Sequence, residues 1–316
     1  MSNSQTGSPT GFQHTLRADL ILVLVTILAA AGWIFSKEAL AGLPPLLFMG
    51  MRFLCASLIL IVLARRQLAR LSKQQWQAAC LVGALLGLAM SIWVLGLFKT
   101  KSLGEGAFIT SLSVVLVPVV NWAIFRERPA TATFIALPVA MFGMALLSLR
   151  HGFTPEASQV FFFVAALLMS VTFILNSRAA YHIPALALSA IQLFWVGMVT
   201  FTLSVLFEAW PTSVSNPIWG WLFLSITVAT AGRFFLQTYA QSLTSPSRAA
   251  VIMILEPVWT TVGSVFWFND WMTTTQFLGC GLILLALIIN RLKRSSFPFK
   301  LFKQKSPIIS AHTNVK

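Results

Sequence analysis

Residues 245–268 read SPSRAAVIMILEPVWTTVGSVFWF, an apolar run that places Glu256 directly before Pro257. Residues 103–125 read LGEGAFITSLSVVLVPVVNWAIF and carry Pro118 at the corresponding position. Each run is long enough to cross a bilayer core of about 30 Å as a helix, because such a helix needs about 20 residues. The two runs predict a membrane protein whose second half repeats its first half.

The composition of the whole chain excludes several classes of protein. Of its 316 residues, 57% are apolar and only 9% are charged, and its mean hydropathy is +0.83. Soluble domains carry about 25% charged residues. We therefore predict an integral membrane protein, and we exclude a soluble enzyme, a nucleic-acid-binding protein and a disordered protein.

Ten apolar runs have the length of a membrane span, and strands are unsuitable alternatives. An open sheet would leave backbone groups unpaired in lipid, and a barrel would show alternation in runs of about ten residues. The predicted spans, numbered in chain order, are residues 18–36, 46–64, 75–98, 103–125, 131–149, 158–177, 185–207, 219–241, 245–268 and 273–291. The predicted fold is an all-α integral membrane protein with ten transmembrane helices.

The distribution of basic residues predicts the orientation in the membrane. With the N-terminus in the cytoplasm, most of the 22 Lys and Arg residues lie in cytoplasmic segments, as expected for loops on that side. We therefore expect a multi-pass protein of the inner cell membrane with both termini in the cytoplasm. The polar residues 1–17 are expected to form a disordered tail. The basic residues 292–316 are expected to form a cytoplasmic tail that binds anionic lipid.

Matching motifs divide the spans into two repeats, residues 18–149 and residues 158–291. Arg52, which follows a proline in span 2, corresponds to Gln192, which follows a proline in span 7. Because five spans is an odd number, the second repeat must be inverted relative to the first. Inverted repeats are typical of secondary transporters, which bind their substrate near the membrane midplane between the repeats.

Short motifs recur in a characteristic order along these spans. They are Gly32-Trp33, Pro44-Pro45, Arg52-Phe53, Ala107-Phe108-Ile109-Thr110-Ser111-Leu112, Pro118, Arg126-Glu127-Arg128-Pro129, Gln237-Thr238-Tyr239-Ala240-Gln241, Ser245-Pro246 and Leu255-Glu256-Pro257-Val258. Over about residues 18–291 this order resembles that of the EamA family of the drug/metabolite transporter superfamily. Asn269-Asp270 is a departure, since the family usually has a glutamate after span 9. The resemblance implies a ten-helix carrier that moves small metabolites, often outward across the membrane. It does not identify the substrate.

Three charged residues lie well inside the predicted spans, where charges are costly and usually face a cavity or a partner. At about 1.5 Å per residue, Arg233 and Glu256 both lie roughly 15 Å from the loop that joins spans 8 and 9. We expect them to form an ion pair or to share one polar cavity. Their role is either to bind substrate or to form a purely structural pair. Arg52 lies nearer the outer end of span 2, and a substrate carboxylate and a backbone carbonyl at a helix end are equally suitable partners.

A polar row follows helical spacing along span 8, at Thr230, Arg233, Gln237 and Gln241. Such a row is unsuited to lipid contact, so it lines a water-filled path or forms hydrogen bonds between helices. Pro118 and Pro257 each remove a hydrogen bond within a helix and tend to kink it. We predict that they are gating positions, where helix ends move during alternating access; the alternative is that the kinks are static. The predicted substrate-binding or cavity residues are Trp33, Arg52, Trp93, Thr110, Asn176, Gln192, Arg233, Gln237, Glu256 and Trp259. Simple packing is the alternative for each tryptophan.

The predicted function is secondary transport of a small metabolite by alternating access around a central cavity. The expected cargo is an amino acid or a similar amphipathic solute, and the expected direction is export. An efflux carrier for organic cations or drugs is one alternative, and a flippase for lipid-linked sugars is another. Catalytic residues, cofactors and metals are not expected. The expected partners are the substrate and the lipid bilayer. Protons are an optional coupling ion, and the expected assembly is a monomer or a homodimer.

Overall fold

A computed structural model describes residues 9–99, 103–148, 158–268 and 273–292, and every regular element in these ranges is helical. The helices are α1 (Pro9–Ala39), α2 (Pro45–Leu68), α3 (Lys73–Lys99), α4 (Leu103–Phe125), α5 (Thr131–Ser148), α6 (Ser158–Ala179), α7 (Ala185–Phe207), α8 (Asn216–Ile226), α9 (Arg233–Ser242), α10 (Pro246–Met253), α11 (Glu256–Phe268) and α12 (Thr274–Leu292). A π-helical turn, Thr227–Gly232, joins α8 to α9.

The described helices account for the ten predicted spans. Seven stretches are long and apolar enough to cross a membrane, and three shorter apolar helices correspond to spans 4, 5 and 10. Span 8 is one continuous stretch, Asn216–Ser242, made of α8, the π-turn and α9. Span 9 is interrupted, since α10 ends at Met253 and α11 begins at Glu256. The chain thus has the predicted all-helical architecture, with irregular backbone in two neighbouring spans.

The first helix begins earlier than the sequence predicted. α1 starts at Pro9, so residues 9–17 are described as part of the first helix, where the sequence predicted the end of a disordered tail. Proline is favoured in the first turn of a helix, where its missing N–H would be unpaired in any case. The guanidinium of Arg17 also lies 5.6 Å from the ring centre of Tyr239 in α9, which holds this part of α1 against the bundle. Residues 1–8 and 293–316, which include most of the basic tail, lie outside the described residues.

The second helices of the two repeats, α2 and α7, form a close antiparallel pair. Gly50 of α2 faces Phe201 of α7, and Leu54, one turn further along α2, faces Gly197, one turn earlier in α7. A Cβ atom added to Gly50 would lie 2.7 Å from the Phe201 Cα atom. Small residues that allow such close backbone contact are typical of helix packing in membranes. Because equivalent helices run in opposite directions, the two repeats are inverted.

The other helix contacts follow the same two-fold pattern. α5 packs against α12, its equivalent in the second repeat. α3 packs against α6 and α7, and the equivalent α8 packs against α1 and α2. α4 packs against α6, and its equivalent α11 packs against α1. The two repeats are therefore interlocked, and each of these contacts has a counterpart in the other repeat.

Polar contacts at the helix ends define two faces of the bundle. We name one the basic face, because its turns lie near most of the arginines: these turns are residues 69–72, 126–130, 180–184 and 243–245. On this face Arg248 of α10 forms an ion pair with Asp19 of α1. On the opposite face, the backbone N–H groups of Leu46 and Leu47 donate to the two carboxylate oxygens of Glu208 over 2.8 and 2.7 Å. Glu208 therefore joins the end of α7 to the start of α2.

Large apolar side chains cover the outside of the bundle. Phe207, Phe266 and Phe277 are 74%, 83% and 72% exposed. Exposed apolar surface of this extent is unfavourable in water, and it is favourable against lipid. The exposed aromatic and aliphatic side chains therefore mark the surface that contacts the bilayer.

Candidate functional site

Arg233 and Glu256 form an ion pair inside the bundle. Arg233 is the first residue of α9, directly after the π-turn, and Glu256 is the first residue of α11, directly after the break in span 9. The Arg233 Nη2 atom lies 3.3 Å from Glu256 Oε2, and the two side chains are 19% and 24% exposed. The structure thus brings together the two charges that the sequence placed at similar depth, and both lie at irregularities of the helical backbone.

Trp33 of α1 contacts the second oxygen of the same carboxylate. Its indole Nε1 donates to Glu256 Oε1 over 3.2 Å. The residue is 50% exposed, so the described protein atoms leave half of its surface uncovered. We name Trp33, Arg233 and Glu256 the central cluster. It combines a cation, an anion and an aromatic face, and its members come from three spans.

Three buried polar atoms in or beside the central cluster have no hydrogen-bond partner among the described residues. They are Arg233 Nε, Gln237 Oε1 and Trp259 Nε1. Gln237 follows Arg233 by one turn of α9, and Trp259 follows Glu256 by one turn of α11. A buried polar atom without a partner costs about 1–3 kcal/mol. The two donors and one acceptor thus leave hydrogen-bonding capacity beside the ion pair, and all three residues belong to the set predicted from the sequence.

The two predicted gating prolines occupy different local structures. Pro257 directly follows Glu256 at the start of α11, after the interruption at residues 254 and 255. Pro118 lies inside α4, which continues as a helix from Leu103 to Phe125. A proline at the beginning of a helix costs no hydrogen bond, whereas one inside it removes a bond. The two prolines match in sequence position, but only Pro257 lies at a helix start.

Arg52 binds groups of the protein, and none of its described partners is a carboxylate. Its Nη1 donates to Ser36 Oγ over 2.9 Å, and its Nη2 donates to the backbone carbonyl of Ala229 over 3.3 Å. Its Nε donates to Thr230 Oγ1. The backbone carbonyl among these partners belongs to the π-turn within span 8, whereas the sequence suggested one at a helix end.

A second polar group is buried between α6, α7 and α9. Gln192 Nε2 donates to Asn176 Oδ1 over 2.5 Å, and Asn176 Nδ2 donates to Gln241 Oε1. Thr238 Oγ1 accepts from Asn176 and from Ser189 over 3.4 and 2.9 Å. All five side chains are at most 6% exposed, and we name them the amide cluster. Asn176 and Gln192, which were predicted to line a cavity, therefore bind each other across the helix interface.

The predicted residues Trp93 and Thr110 form a separate contact. The Trp93 indole Nε1 donates to Thr110 Oγ1 over 3.1 Å, between α3 and α4. The ten predicted residues therefore fall into distinct groups. Trp33, Arg233 and Glu256 meet in the central cluster, with Gln237 and Trp259 one turn away. Arg52 lies beside this cluster, since a Cβ atom added to Gly32, the neighbour of Trp33, would lie 3.5 Å from Arg52 Nη2. The amide cluster and the Trp93–Thr110 pair join helices elsewhere.

An ionic link on the basic face was not identified as a site from the sequence. Glu127, from the motif that follows span 4, accepts from Arg178 Nη2 over 2.6 Å and from Asn121 Nδ2 over 3.0 Å. The preceding residue, Arg126, has a φ of 56°, a left-handed conformation that is uncommon for residues other than glycine. Burial and the Glu127 carboxylate raise the pKa of Tyr181, although Arg178 opposes this shift. The signal in the sequence was Glu127 itself, the single acidic residue between spans 4 and 5.

The amide cluster leads to a prediction about stability. Replacing Asn176 by leucine leaves Gln192 and Gln241 without their shared partner, so we expect the protein to lose about 1–3 kcal/mol of stability. The measurement is the melting temperature of the purified protein in detergent. Ser170→Ala is the matched control, because Ser170 is equally buried in α6 and its hydrogen bond among the described residues goes to the Leu167 carbonyl of its own helix. Equal melting temperatures for the two variants would contradict a role for the cluster in joining α6, α7 and α9.

The sequence model of the EamA-like transporter family matches residues 16–149 and 157–292, one match for each repeat. The chain belongs to this family. The boundary between the matches coincides with the boundary between the repeats, and the central cluster draws on both. The protein is therefore a multi-pass membrane transporter.

Relatives of this EamA-like protein agree with that assignment. It is 28% identical to an uncharacterized transporter of Archaeoglobus fulgidus over 292 residues, which cover 92% of this chain and 90% of the relative. It is 26% identical to the uncharacterized transporter YvbV of Bacillus subtilis over 288 residues, which cover 88% and 92% of the two chains. A solved crystal structure with 18% identity superimposes with a TM-score of 0.74 over 87% of this chain and 98% of the other. That likeness establishes a shared fold.

Proposed function

We propose that this EamA-like protein exports a small amphipathic metabolite, an amino acid or a similar solute, by alternating access around the central cluster. The observation that carries the proposal is the Arg233–Glu256 pair, held 3.3 Å apart beside the half-exposed ring of Trp33. Charged residues inside a membrane protein mark substrate or ion pathways in many transporters. Here both signs of charge are present at one place.

The chemistry of the central cluster suits a solute that carries both charges. The guanidinium of Arg233 matches a carboxylate, with which it can form two parallel hydrogen bonds. The carboxylate of Glu256 matches an ammonium group, and the rings of Trp33 and Trp259 offer an apolar or cation–π contact. Without solute, Arg233 and Glu256 neutralise each other. When a zwitterion binds, its carboxylate takes the place of Glu256 beside Arg233, and its ammonium group takes the place of Arg233 beside Glu256. Neither protein charge is then left bare, which would be costly in this environment.

The architecture supports a mechanism in which the two repeats move relative to each other. Trp33 comes from the first repeat, while Arg233 and Glu256 come from the second, so the central cluster spans the boundary between them. Broken helices at the contact between inverted repeats are a feature of secondary transporters. With the basic face in the cytoplasm, export would move the solute from that face to the opposite one. Protonation of Glu256 and uncoupled exchange are alternative ways to drive the cycle.

The test is a thermal-shift series on purified protein with an amino acid, the corresponding amide and the corresponding amine. A ligand that binds only the folded protein at 100 times its Kd stabilises it by about 2.7 kcal/mol. We expect stabilisation by the amino acid, and we expect Arg233→Gln to abolish it because the carboxylate loses its partner. Arg66→Gln, an exposed arginine at the end of α2, is the matched control.

Each outcome of the series identifies a class of substrate. Stabilisation by the amine or by larger organic cations that survives Arg233→Gln would favour the organic-cation carrier over the amino-acid carrier. Stabilisation by the amino acid that survives Arg233→Gln would contradict the proposed role of Arg233. For a confirmed ligand, efflux from proteoliposomes with and without a proton gradient then tests the direction and the coupling.

A further inference from the structure

The π-turn in span 8 determines which way Arg233 points. A π-helical turn contains an extra residue compared with an α-helix, and such turns occur frequently at functional sites. The Thr230 hydroxyl donates to the carbonyl of Ser225, five residues earlier, over 2.8 Å. Regular α-helical geometry over the same residues would rotate the following helix by about 100°. Arg233 begins that following helix, so it would then no longer face Glu256.

Arg52 is the side chain that holds this turn from outside. Two of its three described hydrogen bonds end on the π-turn, at the Ala229 carbonyl and the Thr230 hydroxyl. The third ends on Ser36 of α1, so Arg52 links α2 to the π-turn and to α1. A guanidinium can bind several acceptors at once in a fixed plane, which an ammonium group cannot do. Its contacts therefore restrain both the position and the rotation of the turn.

A glycine in α1 brings the same turn close to the first repeat. A Cβ atom added to Gly32 would lie 2.8 Å from the Ala229 Cβ atom and 3.5 Å from Arg52 Nη2. The Ala229 Cβ atom is attached directly to the backbone of the π-turn, so the contact can be relieved only if the turn and α1 move apart. Gly32 precedes Trp33 of the central cluster. The turn is thus restrained by hydrogen bonds from α2 and by van der Waals contact with α1.

We propose that Arg52 is a positioning residue: it holds the π-turn Thr227–Gly232 in register, and the turn holds Arg233 opposite Glu256. This inference rests on the central cluster of the proposed function, but it concerns the geometry of the cluster and not the identity of the solute. Arg52 acts through Arg233 and does not bind the solute itself. Changes that displace the turn without removing any charge should therefore have the same effect as changes to Arg52.

The test measures the coupling between Arg233 and Glu256 without any ligand. Arg233→Gln, Glu256→Gln and the double variant are made in the parent protein, and their melting temperatures form a double-mutant cycle. The cycle is repeated in proteins that carry Thr230→Val, Gly32→Ala or Arg52→Lys. Gly220→Ala is the matched control, because it lies in the same span and a Cβ atom there has no neighbour within 4 Å.

In the parent and in Gly220→Ala, we expect the two single losses to be non-additive by about 2 °C or more. In Thr230→Val, Gly32→Ala and Arg52→Lys, we expect them to be additive, because Arg233 no longer faces Glu256. Coupling that persists in Arg52→Lys, or in both Thr230→Val and Gly32→Ala, would overturn the proposal, as would its absence from the parent. If Gly32→Ala does not fold, Thr230→Val and Arg52→Lys decide the result. A silent ligand series with intact coupling would reject the proposed function and leave the positioning role standing.

Discussion

Replacing Glu256 by glutamine is expected to weaken binding of an ammonium-bearing solute about 10- to 100-fold. The loss follows from a charge-assisted hydrogen bond, which contributes about 1.5–3 kcal/mol, where about 1.4 kcal/mol corresponds to a factor of ten. The side chain keeps its size, and its amide oxygen can still accept from the Trp33 indole. The variant therefore removes the charge and preserves most of the packing. The measurement is the dissociation constant of the best ligand from the thermal-shift series.

Glu38→Gln is a closely matched control for this variant. Glu38 also accepts a hydrogen bond from a tryptophan indole, since Trp267 Nε1 lies 3.0 Å from its Oε1. It lies near the opposite face of the bundle, at the end of α1, and has no described contact with the central cluster. We expect Glu38→Gln to leave the dissociation constant unchanged. Equal losses of affinity in the two variants would show that the charge of Glu256 has no special role.

The double variant Glu256→Gln with Arg233→Gln separates binding from stability. Glu256→Gln alone leaves the Arg233 guanidinium without its anionic partner, so the melting temperature should also fall. Removing both charges should restore part of that stability, because no bare charge remains. Binding of a zwitterion should not return. Recovery of both properties together would indicate that Arg233 and Glu256 form a purely structural pair.

Replacing Gly50 by alanine is expected to destabilise the protein by several degrees of melting temperature. The new methyl group would lie 2.7 Å from the Phe201 Cα atom and 2.9 Å from its backbone nitrogen, and backbone atoms cannot move aside as a side chain can. Such overpacking costs typically 1–3 kcal/mol. Gly197→Ala should act in the same way, since its methyl group would lie 2.6 Å from the Leu54 backbone nitrogen. The two helices would have to separate.

Gly220→Ala and Gly281→Ala control for the general effect of alanine in a helix. A Cβ atom at either position has no neighbour within 4 Å. Because glycine is unfavourable inside helices by roughly 0.5–1 kcal/mol relative to alanine, these variants should be as stable as the parent or slightly more stable. The readout is the melting temperature in detergent, with the elution volume as a check on folding. A Gly50→Ala variant as stable as Gly220→Ala would contradict the close antiparallel contact of α2 with α7.

Several features were predictable because they depend on length along the chain. The ten spans follow from the apolar runs, and the inversion follows from an odd number of spans in each repeat. Arg233 and Glu256 could be matched because both lie about equally far from the turn that joins two antiparallel helices. Distance from a shared turn fixes depth in the bundle, and depth was sufficient to predict this pair.

Other features depend on rotation about the helix axis, which depth does not determine. The spacing of Thr230, Arg233, Gln237 and Gln241 predicted one continuous polar face. In the structure, the π-turn changes the register between Thr230 and Arg233, so Thr230 binds Arg52 while Arg233 binds Glu256. Nothing in the composition of Thr227–Gly232 signals a π-turn. It is held by contacts with two other spans, and both contacts come from residues far away in the sequence.

The sequence by itself thus determined the membrane location, the number of spans, the inverted repeat, the family and the three charged positions well inside the spans. The tertiary structure decided which of these polar groups face one another. It joined Asn176 to Gln192 and Gln241 in one buried hydrogen-bonded network, and it placed Arg52 against the π-turn. It also paired Arg233 with Glu256 and placed the half-exposed Trp33 against the same carboxylate. The physical reason is that an apolar run long enough to span the membrane can be recognised from local sequence. The partner of a buried polar group depends instead on how helices that are distant in the sequence rotate and pack.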